Sequence, residues 1–408
     1  MKKIWKLLAA VAICIMAGSA APVQAAGGVA VKKKTSQKQP EIDGKAGIVM
    51  DAKTGKILFE KNINEKHYPA SITKILTTLV AIENNDDLYG EVTFSKEAVN
   101  ELEEGSTHIG IQEGETLPLI DVLYGIMLES ANEACNGAAE YTAGSNKEFV
   151  KLMNQKAKEL NLKNTHFESP HGLDSDGHYT TAYELALITD YALQNSTFAK
   201  IVGTKNYTIT INGYPKALTN TNELLGNLNG VYGVKTGFTN GANRCLVSSC
   251  KRGDMDIICV VLGADTKNFR TQDSIKLIEY AFVNYEYVNI KEIADKELSA
   301  LKNKYSSSFF VDKGISNKIS FEISNIDTPI LPIKKDLVGN ITTESFLNTN
   351  LIAPVHKDEI LGYIKIVSNN NVIANFDIIC KSEISKRSVI DYLKLFMQRT
   401  PQIFEEPL

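Results

Sequence analysis

The spacing of apolar and polar positions changes several times along the chain, and each change marks an element. An apolar run over residues 7–20 follows Lys2, Lys3 and Lys6 and ends in small residues at Val23-Gln24-Ala25-Ala26. A cationic head, a short apolar core and a small-residue exit predict a cleaved secretory signal over 1–26; the run falls short of the roughly 20 residues a membrane-spanning helix needs. Residues 27–43 are polar and lysine-bearing and read as a flexible leader. Two strands follow, over 46–50 and 56–59, joined by a turn from Asp51 to Gly55. Pro69 keeps the chain ahead of it out of helix, and Ile72, Ile75, Leu76, Leu79, Val80 and Ile82 then recur at helical spacing. Helical period continues from about 85 to 200, clearest over 117–128 and 149–160. It is interrupted by a turn-rich loop from Asn164 to Tyr183, where Thr180 or Thr181 caps the next helix. Sheet patterns return over 231–237, 245–249 and 256–262, followed by a helix over 273–282. Short strands at 308–311, 319–323, 360–367 and 372–379 predict a small β-rich domain from about 290 to 380. Near the end, Val389, Ile390, Leu393, Phe396 and Met397 share one helical face, with Lys386, Arg387, Lys394 and Arg399 largely off it. That basic amphipathic helix suits the surface of an anionic membrane.

Composition narrows the class. At 408 residues, 43% hydrophobic and 23% charged, the chain has room for two soluble domains, and a net charge of −4 excludes a general nucleic-acid binder. Cys14 leaves with the signal; Cys135, Cys245, Cys250, Cys259 and Cys380 have no repeating spacing and read as core thiols, not a disulfide framework. His166, His171 and His178 fall in the turn-rich loop without metal-ligand spacing, so no metal or cofactor is expected.

The chemistry concentrates in three short strings. Ser71 and Lys74 open the apolar helix three positions apart, which puts hydroxyl and amine on one face within a turn. Serine is a weak nucleophile near neutral pH unless a base takes its proton, and a lysine desolvated by apolar neighbours can be that base. Ser130-Ala131-Asn132 lies between two helical runs and offers a hydroxyl to relay protons and an amide to hold a peptide group. The strand ending in Lys235-Thr236-Gly237 presents a cation and a hydroxyl to a carboxylate; its glycine lets a substrate backbone approach the strand edge and bind as an added strand. Each string has a double: Ser299 with Lys302, Ser368-Asn369-Asn370, and Lys53-Thr54-Gly55. The last lies in a hairpin turn and the first at the threshold of the β-rich region, far from the other motifs.

Ser71-x-x-Lys74, Ser130-x-Asn132 and Lys235-Thr236-Gly237, in that order, form the triple of class A β-lactamases and penicillin-binding proteins. Together with Tyr68-Pro69-Ala70 before the serine, Ser169-Pro170-His171-Gly172-Leu173-Asp174, Gly177-His178-Tyr179-Thr180-Thr181-Ala182 and Val261-Leu262-Gly263-Ala264, they give a chain that resembles the low-molecular-mass penicillin-binding proteins that are serine D-alanyl-D-alanine carboxypeptidases of peptidase family S11. The resemblance is strongest over 44–285 and departs at Ala131, where the family often has glycine. It implies an α/β (α+β) fold: a β-lactamase/transpeptidase-like domain with an antiparallel sheet flanked by helices, plus a sandwich-like C-terminal β-rich domain. It also implies roles. Ser71 attacks the carbonyl between the terminal D-alanines of a peptidoglycan stem peptide, with Lys74 as base. Ser130 passes the proton to the leaving D-alanine, Asn132 holds the peptide amide, and Lys235 orients Ser130. Thr236 binds the terminal carboxylate with Arg270 facing it, and the backbone N–H groups of Ser71 and Phe238 form the oxyanion hole. β-Lactams are implied as covalent inhibitors. His171 and Asp174 match family loop residues and read as loop stabilisers. A base at Lys74 must lose its charge, and burial together with the cation at Lys235 is expected to lower its pKa.

Two rival readings share the triple. A class A β-lactamase deacylates through a glutamate, ordinarily in a Glu-x-x-x-Asn loop, whereas Glu168 is followed four positions on by Gly172. A non-catalytic penicillin sensor acylates without turnover. The expected organisation is a signal at 1–26, a leader at 27–43, a catalytic domain at 44–288, a β-rich domain at 289–382 and a docking tail at 383–408. The chain is expected to be exported to the outer face of the cytoplasmic membrane or the cell wall.

Overall fold

The computed structural model describes residues 38–100, 106–305, 309–324 and 326–399. The expected signal, the leader as far as residue 37 and Pro401 lie outside the described residues. The chain lays down a hairpin of β1 (Ala46–Asp51) and β2 (Ile57–Lys61), one 3₁₀ turn at Ala70–Thr73, and α1 (Lys74–Glu83). A helical section follows: the short pair β3 (Glu91–Thr93) and β4 (Thr116–Pro118) around α2 (Lys96–Asn100), then α3 (Leu119–Tyr124), α4 (Asn132–Ala143), α5 (Asn146–Glu159), α6 (Ala182–Leu193) and α7 (Ser196–Val202). The hairpin β5 (Asn206–Ile211) and β6 (Tyr214–Thr219) precedes β7 (Val231–Thr239), β8 (Asn243–Arg252), β9 (Met255–Ala264) and α8 (Lys267–Asn284).

Among the described residues the central sheet is antiparallel, with strand order β2-β1-β9-β8-β7. Strand β9 explains why it sits at the middle. Ile258, Val260 and Leu262 join the core shared with α1, α4 and α6, while Ile257, Cys259 and Val261 join the core under α8. A strand buried on both faces needs an unbroken apolar run, which is what 257–262 supplies. Strand β7 is left at the sheet's edge, beside the turn that carries Ser71. Order begins earlier than the sequence suggests: Ile42 is buried, and Lys61 Nζ donates to the carbonyls of Ile42 and Gly44 at 2.9 and 2.7 Å.

Beyond α8, β10 (Tyr285–Asn289) leads into α9 (Ile290–Tyr305), and the remaining elements are β11 (Phe310–Asp312), β12 (Phe321–Ile323), β13 (Ile330–Lys334), α10 (Lys335–Val338), β14 (Ile341–Leu347), β15 (Asn350–Ile352), β16 (Ile360–Ser368), β17 (Asn371–Cys380) and α11 (Val389–Arg399). A four-stranded antiparallel sheet in the order β12-β17-β16-β14 forms the β-rich domain expected from the sequence. Helix α9 corrects the reading of this region as strands from its start. Ile290, Ala294, Leu298 and Leu301 recur every three or four positions and join the same core as Ile364 and Ile366 of β16. Ser299 lies exposed on α9 with its hydroxyl donating to Asp295 O, far from catalytic chemistry. Lys53-Thr54-Gly55 is turn chemistry: Thr54 donates through N and Oγ1 to Asp51 Oδ1, and Gly55 has φ +70°. All five cysteines among the described residues are buried thiols. No helix among them is long and apolar enough to cross a membrane.

Candidate active site

The residues before α1 decide how Ser71 meets Lys74. Ala70 takes φ +50°, and Ala70–Thr73 winds as 3₁₀, with α-helix starting only at Lys74. This corrects the reading of Ser71 as α-helical and strengthens its consequence, because residues i and i+3 eclipse in a 3₁₀ turn. Lys74 Nζ lies 3.0 Å from Ser71 Oγ. Two glycines let backbone close on this turn from either side. A Cβ on Gly172, which has φ +88°, would stand 2.1 Å from Ala70 O and 2.5 Å from Thr73 Oγ1. One on Gly237 would meet Ile72 Cγ1 and Pro69 O, both at 3.1 Å. Glycine in the third string thus serves β7's packing on the nucleophile turn.

Lys74 is completely buried, and its Nζ lies within hydrogen-bond distance of three oxygens: Ser71 Oγ, Asn132 Oδ1 at 2.7 Å and the carbonyl of His171 at 2.8 Å. Lys235 is equally buried. Burial lowers the Lys74 pKa, against the opposing influence of Cys135 and Glu133. Burial, and then the charge of Lys74, push Lys235 down to about 7. Of the two causes the sequence predicted for Lys74, burial and the Lys235 charge, burial acts, and the charge effect between the lysines falls on Lys235 instead. Both lysines are desolvated, and the charge of Lys74 acts on Lys235.

The second string sits at a bend. Ser130, with φ +65°, ends the π-helical turn Gly125–Glu129, and Asn132 begins α4 with its N–H donating to Thr107 O. Lys74 occupies Asn132 Oδ1, so the Asn132 amide N–H groups remain for an acceptor. Lys235 Nζ donates to the Thr236 carbonyl at 3.1 Å, and among the described residues no hydrogen bond joins it to the Ser130 hydroxyl, so the contact expected from the sequence is not formed here. Thr236 Oγ1 pairs with Thr221 Oγ1 at 2.7 Å. Arg270 is no surface residue. It is buried in the opening turn of α8, and Nη2 donates to Glu223 Oε1 at 2.5 Å, so its charge is already engaged. The Phe238 side chain is 46% exposed, 3.5 Å from ring centroid to the Arg244 guanidinium, and since the ring carries no donor only its backbone N–H could serve an oxyanion.

The turn-rich loop is fastened by side chains outside the triple. His178 Nδ1 accepts from Glu168 N at 3.1 Å, which puts the ring proton on Nε2, donating to Thr73 Oγ1 at 2.9 Å. Asp174 accepts from Thr239 Oγ1 at 2.5 Å and Gly241 N at 2.9 Å, binding the loop to the β7–β8 turn. Glu168 is exposed and its carboxylate packs over Gly177. Thr221, Glu223 and the His171 carbonyl escaped the sequence reading. A polar run such as Asn220-Thr221-Asn222-Glu223 looks like ordinary loop, and a backbone carbonyl leaves no mark in side-chain pattern. Thr181, one of the two foreseen caps, accepts from Glu184 N at 3.1 Å.

The family model described as D-alanyl-D-alanine carboxypeptidase matches residues 33–266, and that of the penicillin-binding protein 5 C-terminal domain matches 302–386. D-alanyl-D-alanine carboxypeptidase DacF of Bacillus subtilis is 34% identical over 369 residues, covering 90% of this chain and 91% of its own. DacC of Escherichia coli is 35% identical over 344 residues, 82% of each chain. The crystal structure of penicillin binding protein 5 from Haemophilus influenzae superposes with a TM-score of 0.69 at 26% identity, over 86% of this chain and 100% of that one. With a family model spanning more than half its length and a relative aligned along nearly all of it, the chain belongs to the D-alanyl-D-alanine carboxypeptidase family of serine peptidases.

Proposed function

We propose that this carboxypeptidase removes the terminal D-alanine of peptidoglycan stem peptides through an acyl-enzyme on Ser71, and the hydrogen bonds of Lys74 carry the reading. A neutral amine has two N–H donors and one lone pair. Asn132 Oδ1 and the His171 carbonyl only accept, so they take the two N–H groups and leave the lone pair facing the Ser71 hydroxyl. Burial, which lowers the Lys74 pKa, supports that neutral state.

Ser71 Oγ attacks the carbonyl carbon between the two D-alanines as its proton passes to Lys74. The oxyanion is held by the backbone N–H groups of Ser71 and Phe238, each such donor worth on the order of 10² to 10³ in rate. Asn132 holds the preceding peptide group. Thr236 and Lys235 receive the terminal carboxylate, with Arg270 behind them. The carbon–nitrogen bond breaks as Ser130 relays the proton to the leaving amine. Water then cleaves the ester, restoring Ser71 and releasing the shortened peptide. A β-lactam acylates the same oxygen by opening its ring. Release of D-alanine from diacyl-L-lysyl-D-alanyl-D-alanine by the mature chain, absent in Ser71→Ala, tests this; no release alongside a stable penicillin adduct on Ser71 would move the protein to the sensor class. The exposure of Glu168, with Gly172 and not asparagine four positions on, speaks against the β-lactamase alternative.

Family membership supports a working place at the cell wall, and α11 supports a seat on the membrane surface. Val389, Ile390, Leu393, Phe396 and Met397 are all exposed on it, and Ser388 caps it by accepting from Asp391 N at 3.2 Å while donating to Asp391 Oδ2. Residues 384–387 pair with the β-rich domain through the Val355–Ile384 and Gly314–Lys386 bridges, so the proposed docking helix begins after them, later than residue 383. A chain ending at Arg387 should stop pelleting with anionic vesicles; unchanged pelleting refutes the anchor.

A further inference from the structure

Residues Asn220 to Glu223 form a strap beside the open edge of β7. The Asn220 amide donates to the carbonyls of Val202 and Thr204 at 3.1 Å, Thr221 meets the Thr236 hydroxyl, and Asn222 Nδ2 donates to Gly233 O at 2.8 Å. The strap is thereby pinned along the strand as far as the residue read as the carboxylate's first contact. Glu223 follows at its end. Its Oε1 accepts from Arg270 Nη2 at 2.5 Å and from the Thr271 hydroxyl. Arg270 is 3% exposed, and both Arg270 Nε and Glu223 Oε2 are buried without a hydrogen-bond partner, so each group is the other's principal compensation.

We infer that Glu223 is a positioning residue that sets how strongly the substrate's terminal carboxylate is held: it neutralises Arg270 and fixes the guanidinium at the strap, leaving the carboxylate to Thr236 and Lys235. The inference rests on the reading of Arg270 as part of the carboxylate site. A guanidinium engaged in a buried ion pair attracts a further anion weakly, whereas an unpaired one exerts its full field. The consequence extends to turnover. Released D-alanine carries its own carboxylate, and a site that holds that group moderately gives up its product readily while losing only uniform binding.

Glu223→Gln keeps the side chain's length and an acceptor for Thr271 and removes the charge. The KM for diacyl-L-lysyl-D-alanyl-D-alanine should fall about threefold at low salt, a gain that shrinks as salt rises, while kcat moves less than about twofold. Glu223→Asp, which keeps the charge, should stay within about twofold of the parent KM. In Glu223→Gln/Arg270→Ala the gain should vanish. An unchanged or raised KM in Glu223→Gln, in a chain where Arg270→Ala raises KM, overturns the inference, as does a gain that survives in the double variant. If Arg270→Ala leaves KM unmoved, the carboxylate reading of Arg270 fails first and the role of Glu223 falls with it.

Discussion

The side-chain nitrogen of Lys74 lies 2.8 Å from the carbonyl oxygen of His171, so the proposed base is held by the backbone of a loop 97 residues further along the chain. That loop is itself fastened to the nucleophile turn by His178 and Thr73 and to the β7–β8 turn by Asp174. The geometry of Ser71 and Lys74 is therefore a property of the loop as much as of the helix, and the loop is open to perturbation without touching either residue.

Acylation should have an acid limb. Burial lowers the Lys74 pKa, and protonation of its amine on the acid side removes the free base. His171, pushed down to about 3 by desolvation and by Lys74, and His178, pushed down to about 4 chiefly by burial, stay neutral throughout and cannot supply the limb. Stopped-flow acylation by penicillin should slow about tenfold for each pH unit below the limb; a rate flat from about pH 5.5 to 8 would exclude the neutral-amine mechanism.

Gly172→Ala should be far more damaging than Gly237→Ala. The first places a Cβ 2.1 Å from Ala70 O at a φ of +88°, where only backbone movement can relieve it. The second makes contacts of 3.1 Å that a shift of a few tenths of an ångström relieves. We expect Gly172→Ala to slow acylation at least about 100-fold and to cost on the order of 1–3 kcal/mol in denaturant unfolding. For Gly237→Ala we expect about tenfold slower acylation. Equal effects would show that the loop does not set the nucleophile's position.

Thr221→Val removes the hydroxyl paired with Thr236 and leaves the shape nearly unchanged. The Thr236 hydroxyl then loses its orienting partner, and KM should rise about three- to tenfold with a smaller change in kcat. A peptide whose terminal carboxylate is amidated should bind the two proteins alike; a deficit of the same size with that peptide would place the role of Thr221 elsewhere.

Stability should fall as pH drops through the window between about 6.5 and 4. His178 is depressed in the folded state, so below its ordinary pKa the unfolded chain binds the proton that the folded chain refuses, and stability present above about 6.5 is progressively lost. Asp190, which burial lifts to about 6, acts with the opposite sign, so the parent's pH profile alone does not isolate the histidine. Comparison of Tm at several pH values between the parent and His178→Gln does, and the variant should show a shallower decline over that window. Parallel profiles would mean that His178 is not the group refusing the proton.

Much of the fold and the centre of the site were legible in the sequence because they are written in local periodicity and in side-chain type. The unbroken apolar run of β9 announces a strand buried on two faces, and the helical spacing after Pro69 announces α1. Ser71 and Lys74, three positions apart, are bound to meet on any helical turn. Locality also explains the failures. The helix α9 has a helical period, but its apolar positions are separated by charges and adjoin strand-like segments. The hairpin β5–β6 buries little beyond Ile209, Ile211 and Leu218, so its polar remainder gives no sheet signal. Only tertiary structure could decide which oxygen orients Lys74, that Gly237 serves the nucleophile turn, that both lysines are desolvated, and that Arg270 is matched by Glu223 47 positions away. Those relations depend on which surfaces become buried against one another, and burial alters charge, proton affinity and permitted backbone approach in ways that no single stretch of chain contains.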